Sequence, residues 1–299
     1  MINENILSTI GNTPMIKLNN IGNKNIYVKL EKYNPGGSIK DRAVLNMIKG
    51  LEERNILKNG SVLVEATSGN TGIALSMVGA LKGYEVIIVM PDTMSEERRT
   101  LMKCYGAKLI LTDGKLGMDG AINKAKELIE NNENYISLNQ FENEDNPYAH
   151  YNTTAVEILN DVKDIDIFVC GVGTGGTLTG IGRYLKEKNK DIKVVALEPK
   201  SSPVISKNIK GPHKIQGIGA GFIPKNYDDS IVDEVITVSD EEAYEGVRLM
   251  AKKEGILVGI SSGANVYGAL ELSKRFPNKK IVTVSPDGLD KYMSLNIFN

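Results

Sequence analysis

The segment IFVCGVGTGGTLTGIGRYL, residues 167–185, places a short apolar run, a glycine-rich turn and an amphipathic stretch in direct succession. The apolar run is typical of a buried strand, and the stretch after the turn has the apolar spacing of a helix. A second unit of this kind occurs earlier, where the run 61–65 leads into TSGNTG at residues 67–72. Strand, glycine-rich turn and helix in this order are typical of α/β folds with a mainly parallel sheet.

Short β-branched runs alternate with longer amphipathic stretches along the whole chain. Strands are predicted at residues 25–31, 61–65, 85–90, 108–111, 166–170, 193–197, 234–238 and 280–284. Helices are predicted at residues 39–54, 70–82, 95–104, 118–130, 152–160, 176–188, 240–254 and 263–275. This alternation also fits a closed barrel. The two glycine-rich turns lie in different halves of the chain, however, which favours two open sheets around a cleft, because ligands bind at the carboxyl ends of parallel strands.

The fold class predicted on these grounds is α/β, with two open, mainly parallel twisted sheets flanked by helices and the active site in the cleft between two domains. The segment 139–150, NQFENEDNPYAH, is polar and contains a proline, as is typical of a boundary between domains. We therefore predict an N-terminal domain over residues 1–145 and a C-terminal domain over residues 146–299.

Charge and composition restrict the classes of partner. Lys and Arg number 36 against 37 Asp and Glu, a net charge of −1, so no long-range field favours nucleic acid or an anionic membrane. A small-molecule partner is expected instead. The N-terminal segment lacks the basic start and apolar core of a signal peptide, and no apolar run is long enough to cross a bilayer. These features predict a cytoplasmic protein.

The cysteines and histidines show no pattern of a metal or disulfide site. Cys104 and Cys170 are the two cysteines, and they form no CxxC pattern, which argues against a disulfide framework and against zinc. Cys170 falls in an apolar run and is expected to be a small buried side chain. His150 and His213 stand in loop-like sequence without ligand spacing. We predict neither a metal site nor a catalytic histidine.

The segment NPGGSIKDR, residues 34–42, contains the first candidate for chemistry. The proline and paired glycines predict a tight turn, and Ser38 and Asp41 have the spacing of a capping box that starts a helix. Lys40 would then lie in the first helical turn, where the helix dipole disfavours the ammonium form. A lysine with a lowered pKa is a candidate for a Schiff base. Taken alone, the segment describes an exposed lysine beside an ordinary cap better than a reactive one.

The segment TSGNTG, residues 67–72, lies between a predicted strand and a predicted helix. Backbone amides and hydroxyls gathered at a helix N-terminus form a site for an anionic group, and a carboxylate fits as well as a phosphate. The same residues also describe a polar turn whose hydroxyls only cap the helix. The segment alone does not distinguish these two interpretations.

The segment GVGTGGT, residues 171–177, matches the GxGxxG pattern of dinucleotide-binding proteins. Glu198 follows near the end of the next predicted strand, about where such proteins keep the acid that binds the ribose. A nicotinamide-dependent dehydrogenase is therefore a rival interpretation. Thr174 and Thr177 add hydroxyl donors to the loop, however, and these suit a terminal phosphate with several oxygens.

In combination, GGSIKDR, TSGNTG and GTGGT resemble the fold-type II pyridoxal-phosphate enzymes, and most closely the cysteine synthase and cystathionine β-synthase group. The resemblance continues through GNTP (11–14), NQF (139–141), IQGIGAGFIP (215–224) and GISSGA (259–264). It covers nearly the whole chain, and so many matches in sequence order are not expected by chance. It implies a tryptophan synthase β-like fold in which part of residues 12–34 pairs with the sheet of the second domain.

The resemblance implies that the cofactor is pyridoxal 5′-phosphate. By similarity, Lys40 holds the cofactor through an imine and later removes the α-proton of the substrate. Three sets of residues follow from it: Gly173, Thr174, Gly175, Gly176 and Thr177 for the cofactor phosphate; Asn70 and Ser261 for the cofactor ring; and Thr67, Ser68, Gly69, Thr71, Gln140 and Gly217 for the substrate.

The reaction implied by the resemblance is β-replacement, in which O-acetyl-L-serine and sulfide give L-cysteine and acetate through an α-aminoacrylate intermediate. Ser261 would face the pyridine nitrogen, and a neutral hydroxyl favours elimination over transamination because it does not keep that nitrogen protonated. The segment 284–292, VSPDGLDKY, departs from the Thr-Gly-Glu-Arg-Tyr run of many cysteine synthases. Cysteine desulfhydrase, lanthionine-forming and cystathionine-forming activities therefore stay open.

Two other functional classes compete with this one. The dehydrogenase lacks an evident acid for hydride transfer, since neither His150 nor His213 has a catalytic setting. A catalytically idle sensor of sulfur status would not need Lys40, Asn70 and Ser261 together. The resemblance also implies a homodimer and allows a complex with serine acetyltransferase, whereas no partner among nucleic acids or membranes is expected.

Overall fold

The strands form two separate sheets in a computed structural model that describes residues 2–295, 297 and 298. The strands are β1 (Met15–Lys17), β2 (Ile26–Leu30), β3 (Val62–Ala66), β4 (Glu85–Pro91), β5 (Lys108–Thr112), β6 (Tyr135–Ile136), β7 (Ile167–Gly171), β8 (Lys193–Pro199), β9 (Glu234–Val238) and β10 (Ile281–Ser285). The helices are α1 (Lys40–Glu53), α2 (Asn70–Lys82), α3 (Glu96–Cys104), α4 (Gly117–Glu130), α5 (Asp145–Ala149), α6 (Ala155–Asp161), α7 (Gly176–Lys188), α8 (Val204–Lys207), α9 (Asp240–Glu254) and α10 (Ile260–Arg275).

Both sheets are open and almost entirely parallel. The smaller sheet has the order β5-β4-β3-β6, with every pair parallel. The larger sheet has the order β1-β2-β10-β7-β8-β9, and only β1 and β2 pair in antiparallel fashion. This topology confirms the predicted fold class and excludes the closed barrel.

The first two strands in sequence, β1 and β2, belong to the larger sheet rather than to the smaller one. Strands β1 and β2 pair with β10 although the strands of the smaller sheet follow them in sequence. The boundary predicted between residues 145 and 146 falls in the first turn of α5, which contacts both α1 and α7. The division into two domains stays a prediction.

The predicted elements agree with the observed ones within a few residues, and α2, α7 and α9 have the predicted bounds. Helix α10 begins three residues before the predicted start because Ser261-Ser262-Gly263, which resembles a turn, is helical. Strands β1 and β6 were not predicted, since three and two residues are too short to show a period. Helices α5 and α8 are also short and were missed.

The parallel strands are buried on both faces. Six of the seven residues of β4 are buried, as expected for a strand covered by helices on either side. Helices α2 and α10 are buried over most of their circumference. Their N-termini lie in the interior, at the carboxyl ends of the strands. Within the described part of the chain, no helix has the length and apolar character needed to cross a membrane.

Candidate active site

A cavity lies where the carboxyl ends of β3 and β7 meet the N-termini of α1, α2, α7 and α10. The predicted site residues that line it are Lys40, Thr67, Gly69, Asn70, Thr71, Gln140, Gly173, Thr174, Gly175, Thr177, Gly217 and Ser261. Ser68 and Gly176 do not line it. Within residues 2–295, 297 and 298 no group of three or more histidine, cysteine or acidic residues could hold a metal ion.

Lys40 is the first residue of α1 and lies half-buried in this cavity. Burial lowers the pKa of the Lys40 ammonium from its ordinary value of 10.5, while Cys170 and Asp287 act in the opposite direction. Burial also raises the pKa of the Cys170 thiol to about 12, so this thiol carries no charge at neutral pH. A lowered pKa increases the neutral, nucleophilic fraction of the amine.

The capping box predicted at Ser38 and Asp41 is wrong. The Ser38 hydroxyl accepts a hydrogen bond from the backbone N–H of Lys40 at 3.2 Å, but Asp41 accepts from the N–H of Gly36 at 2.6 Å. The glycine-rich turn folds back, so the N–H of Gly36 donates to the Asp41 carboxylate in place of the N–H of Ser38. The pKa of Lys40 is lowered mainly by burial, rather than by the helix dipole as predicted.

The loop 173–177 is tightly packed between β7 and α7. A Cβ atom at Gly173 would collide with the carbonyl oxygen of Gly217, so only glycine allows these two backbones to approach. Gly176 faces the side chain of Asn146 rather than the cavity. The loop and the first turn of α7 therefore offer backbone N–H groups and two hydroxyls, as an anion-binding site requires.

Two residues that the sequence analysis missed hold these hydroxyls. The Asn146 Nδ2 donates to the Thr174 hydroxyl at 3.0 Å and to the Gln140 carbonyl at 2.7 Å. His150 lies in a π-helical turn, His150–Thr154, rather than in a loop. Its ring nitrogens contact the hydroxyls of Thr154 at 3.0 Å and Thr177 at 3.3 Å. The four-residue spacing of His150 and Thr154 on a helix was the available signal.

His150 is a neutral group in this setting. Burial lowers its pKa well below the ordinary value of 6.5, and the charges of Lys40 and Arg42 act in the same direction. A neutral imidazole donates through one nitrogen and accepts through the other. It can therefore link the hydroxyls of Thr154 and Thr177 without adding a charge beside Lys40.

The loop 67–72 is held by residues that are distant in sequence. The buried Thr71 hydroxyl donates to the Gln140 Oε1 at 2.7 Å. The Ser68 carbonyl accepts from the Arg98 guanidinium at 3.3 Å. The Asn70 Nδ2 donates to the Asp287 carboxylate at 2.7 Å. The loop carries the N-terminus of α2, where the helix dipole and free amides favour an anion.

A buried carboxylate, Glu65, supports the segment that carries Gln140. It accepts hydrogen bonds from the Ser137 hydroxyl at 2.9 Å and from the Leu138 N–H at 3.1 Å. Burial raises the pKa of Glu65 to about 7, although these hydrogen bonds lower it. The sequence analysis did not single out this residue because its partners lie more than seventy positions away.

The residues of the cavity fit pyridoxal 5′-phosphate. An amine with a lowered pKa suits an aldehyde, and the amides and hydroxyls of the loop 173–177 suit a phosphate ester. The Oδ1 of Asn70 is buried and has no hydrogen-bond partner among the described residues, as expected of a polar group whose partner is a ligand. Ser261 is buried at the start of α10 and completes the cavity.

The dinucleotide interpretation does not fit the same loop. The carboxylate of Glu198, which would bind a ribose, accepts hydrogen bonds from the backbone N–H groups of Ile205 and Ser206 at 2.7 and 3.1 Å. It is 2 % exposed. The acid that the pattern requires is therefore engaged in capping the short helix α8.

Comparisons with known proteins agree with this assignment. Residues 6–287 match the protein family described as pyridoxal-phosphate dependent enzyme. The chain is 53 % identical to a cysteine synthase of Buchnera aphidicola from Schizaphis graminum, over 97 % of this chain and 94 % of that protein. It is 51 % identical to cysteine synthase A of Escherichia coli, with the same coverage of 97 % and 94 %.

Solved structures show the same similarity. A cysteine synthase from Entamoeba histolytica has a TM-score of 0.96 and 44 % identity, covering 100 % of this chain and 91 % of that chain. A hydrogen sulfide-producing enzyme from Fusobacterium nucleatum has a TM-score of 0.92 and 48 % identity, covering 98 % of this chain and 100 % of that chain.

Proposed function

The chain belongs to the pyridoxal-phosphate dependent enzymes, and from that premise we propose that it converts O-acetyl-L-serine and sulfide to L-cysteine and acetate. In this β-replacement the bond between the β-carbon and the acetoxy oxygen breaks, and a bond from the β-carbon to sulfur forms. The observation that carries the proposal is Lys40, whose pKa is lowered by burial, in one cavity with the loops 67–72 and 173–177.

Lys40 has two tasks in this proposal. Its amine holds the cofactor, with the phosphate on the loop 173–177. The bound cofactor draws electrons from the α-carbon of the substrate, which makes loss of the α-proton and of the acetoxy group possible. Because burial lowers the pKa of Lys40, the neutral fraction of the freed amine is larger than that of an exposed lysine, and its Nζ can accept the α-proton.

The loop 67–72 binds the substrate carboxylate in this proposal. The N-terminus of α2 supplies backbone N–H groups and the positive end of the helix dipole. Thr67 supplies a hydroxyl, and the hydrogen bond that Thr71 donates to Gln140 fixes the Gln140 amide beside it. A carboxylate held there would place the α-carbon of the substrate in the cavity that Lys40 lines.

Ser261 sets the type of reaction. It would face the pyridine nitrogen with a neutral hydroxyl, which does not keep that nitrogen protonated as a carboxylate would. A weaker electron sink favours departure of the β-substituent over transamination. Ser261 is 3 % exposed, so water does not compete for its hydroxyl.

The proposal is tested first on the purified protein. We expect it to take up pyridoxal phosphate and turn yellow, and we expect borohydride to fix the chromophore on the peptide that contains Lys40, as read by mass spectrometry. Sulfide consumption with O-acetylserine should then yield cysteine. Labelling of a different lysine, or uptake of NAD instead of pyridoxal phosphate, would overturn the assignment.

Formation of hydrogen sulfide from cysteine is a second candidate function. It is supported by the similarity to the hydrogen sulfide-producing enzyme and by the departure of residues 284–292 from the run of many cysteine synthases. Sulfide release from cysteine, with and without homocysteine, is measured in parallel with cysteine synthesis. A faster release than synthesis would replace the first candidate while leaving the mechanism class intact.

The assembly is proposed on the family alone, whereas the location and the domain bounds are proposed on features of the sequence. We propose a cytoplasmic homodimer, with domains at 1–145 and 146–299, which can bind serine acetyltransferase. Light scattering after gel filtration should give twice the chain mass of 32.6 kDa. A mass equal to one chain would overturn the dimer.

A further inference from the structure

The turn that follows β10 contacts three of the turns around the cavity, namely those that carry Lys40, Asn70 and Ser261. The Pro286 carbonyl accepts from the N–H of Ile39, next to Lys40, at 2.9 Å. The Asp287 carbonyl accepts from the N–H of Gly259, two residues before Ser261, at 3.1 Å. The Asp287 carboxylate accepts from the Asn70 amide at 2.7 Å. One short segment therefore fixes these turns relative to one another.

The Asp287 side chain is fully buried, and the hydrogen bonds that it accepts from the described residues all go to one of its two carboxylate oxygens. Its Oδ2 accepts from the Asn70 Nδ2 at 2.7 Å and from the Tyr292 hydroxyl at 2.6 Å. Its Oδ1 has no hydrogen-bond partner in the described part of the chain and lies against Gly259, where a Cβ atom would collide with it. A buried carboxylate is costly unless it is hydrogen-bonded, so this one requires both of its donors.

We propose that Asp287 is a positioning residue that fixes the orientation of the Asn70 amide. An ionised carboxylate only accepts hydrogen bonds, so Asn70 must turn its NH₂ group towards Asp287. The second N–H of that group and the unpartnered Oδ1 then stay available to a bound molecule. The inference rests on the proposed function and on the contact between Asn70 and the cofactor ring that the family resemblance implies.

The contact network extends from Asp287 to the other end of the loop 67–72. The Tyr292 ring lies 5.0 Å below the guanidinium of Arg98, and Arg98 donates to the Ser68 carbonyl. A cation over an aromatic ring is stabilised further when water is excluded, and Arg98 is buried. The loop is therefore attached to the turn after β10 at Asn70 directly and at Ser68 through two side chains.

The departure of residues 284–292 from the more common run supplies specific contacts. Besides Asp287, this segment contains Lys291, which is 4 % exposed. The Lys291 ammonium donates to the carbonyls of Gly37 at 2.7 Å and Gly36 at 3.3 Å, in the turn before Lys40. Through these contacts the segment forms part of the site.

A double-mutant cycle between Asp287 and Asn70 tests the inference. The variants are Asp287→Asn, Asn70→Ala and their combination, each loaded with pyridoxal phosphate. An asparagine at 287 presents either an oxygen or an NH₂ group, so Asn70 loses its single orientation. We expect Asp287→Asn to speed cofactor loss in dialysis by about tenfold, or about 1.4 kcal/mol, and to shift the visible absorption band. With Asn70→Ala present, we expect the same change to alter the rate by less than about twofold.

Controls separate this role from a purely structural one. Asp290→Asn removes an exposed carboxylate from the same turn and should leave the rate and spectrum unchanged in both backgrounds. Tyr292→Phe keeps the ring below Arg98 and removes one donor to Asp287, and it replaces Asp287→Asn in the cycle if that variant does not fold. Additive effects in the two backgrounds would overturn the inference. Failure of the unmutated protein to take up the cofactor would instead overturn the proposed function.

Discussion

The loops 67–72 and 173–177 have the same design, since each joins a parallel strand to a buried helix and is held by side chains of other elements, yet they are packed differently. A Cβ atom at Gly173 would collide with the backbone, whereas a Cβ atom at Gly69 would meet nothing within 4 Å. The loop 173–177 is packed against its neighbours. The loop 67–72 is open on its cavity side and is anchored by Gln140, Arg98 and Asp287.

The difference corresponds to two kinds of ligand. A packed loop is preorganised for a group that stays bound, because little ordering is required on binding. An open loop whose anchors lie on other elements can admit and release a group during each turnover. We therefore assign the packed loop to the cofactor and the open loop to the substrate, and four predictions test that contrast.

Lys40→Ala should have the largest effect because Lys40 serves both loops. We expect kcat to fall by about 10³-fold or more, since the variant lacks the proposed base, and borohydride should leave no chromophore on the α1 peptide. Steady-state kinetics and peptide mass spectrometry provide the measurements. Lys49→Ala, on the same helix with its side chain 66 % exposed, is the matched control. Retention of normal kcat by Lys40→Ala would remove the chemical basis of the assignment.

Glu65→Gln should reduce the pH dependence of stability. Burial raises the pKa of Glu65 from 4.5 to about 7 in the folded protein, so the native state keeps a proton that the unfolded chain releases near pH 4.5. Its contribution is present at lower pH and is lost as pH rises through 7, by at most about 3 kcal/mol. We expect the fall in unfolding free energy between pH 5 and pH 8 to become smaller in Glu65→Gln.

Denaturant unfolding at both pH values measures the effect of Glu65→Gln. Asp41, whose pKa burial also raises to about 7, remains in both proteins and keeps part of the pH dependence. Glu53→Gln, with its side chain 66 % exposed, is the control and should not change the dependence. An unchanged pH dependence in Glu65→Gln would mean that its carboxyl group titrates normally in the folded state.

Gly173→Ala and Gly69→Ala form a matched pair that compares the loops directly. At Gly173 the added methyl group overlaps the Gly217 carbonyl, and such overpacking costs about 1–3 kcal/mol. Gly69 has an extended backbone with φ −114° and open space around it, so we expect its unfolding free energy to stay within about 0.5 kcal/mol of the parent. Equal destabilisation of the two variants in thermal unfolding would contradict the contrast.

Local sequence was sufficient to predict eight of the ten strands that the structure describes, the principal helices and both loops. Apolar periodicity and glycine-rich turns are properties of neighbouring residues, so α2 and α7 were predicted with the observed bounds. The contacts that anchor the open loop are not local. Asn70 and Asp287 lie 217 positions apart, and nothing in either segment indicates that the sheets bring them together.

The errors near Lys40 have the same cause. The spacing of Ser38 and Asp41 predicted a capping box, but Asp41 accepts from Gly36 because the turn folds back. The loop-like sequence around His150 predicts no helix there, yet Asn146, Pro147 and His150 belong to the helical stretch that starts at α5. Propensity describes local preference, and tertiary packing overrode it at both positions.

Thr71→Val and Thr177→Val provide the most discriminating comparison, although their effects are expected to be the smallest. Each change removes one hydroxyl with little change in shape. The Thr71 hydroxyl donates to Gln140 in the open loop, and the Thr177 hydroxyl is hydrogen-bonded to His150 in the packed loop. A buried polar group left without its hydrogen-bond partner costs about 1–3 kcal/mol. We expect Thr71→Val to raise the KM for O-acetylserine about tenfold without changing cofactor loss in dialysis.

Thr177→Val should show the opposite pattern, with faster cofactor loss and a KM that changes less. Each variant thus serves as the control for the other, because both remove a hydroxyl from the same cavity. If both variants change KM and cofactor loss in the same proportion, the loops act as one unit and the division between a packed and an open loop is wrong. If Thr71→Val changes mainly the KM and Thr177→Val changes mainly the cofactor loss, the two loops have separate ligands. A general loss of stability would change both quantities in both variants.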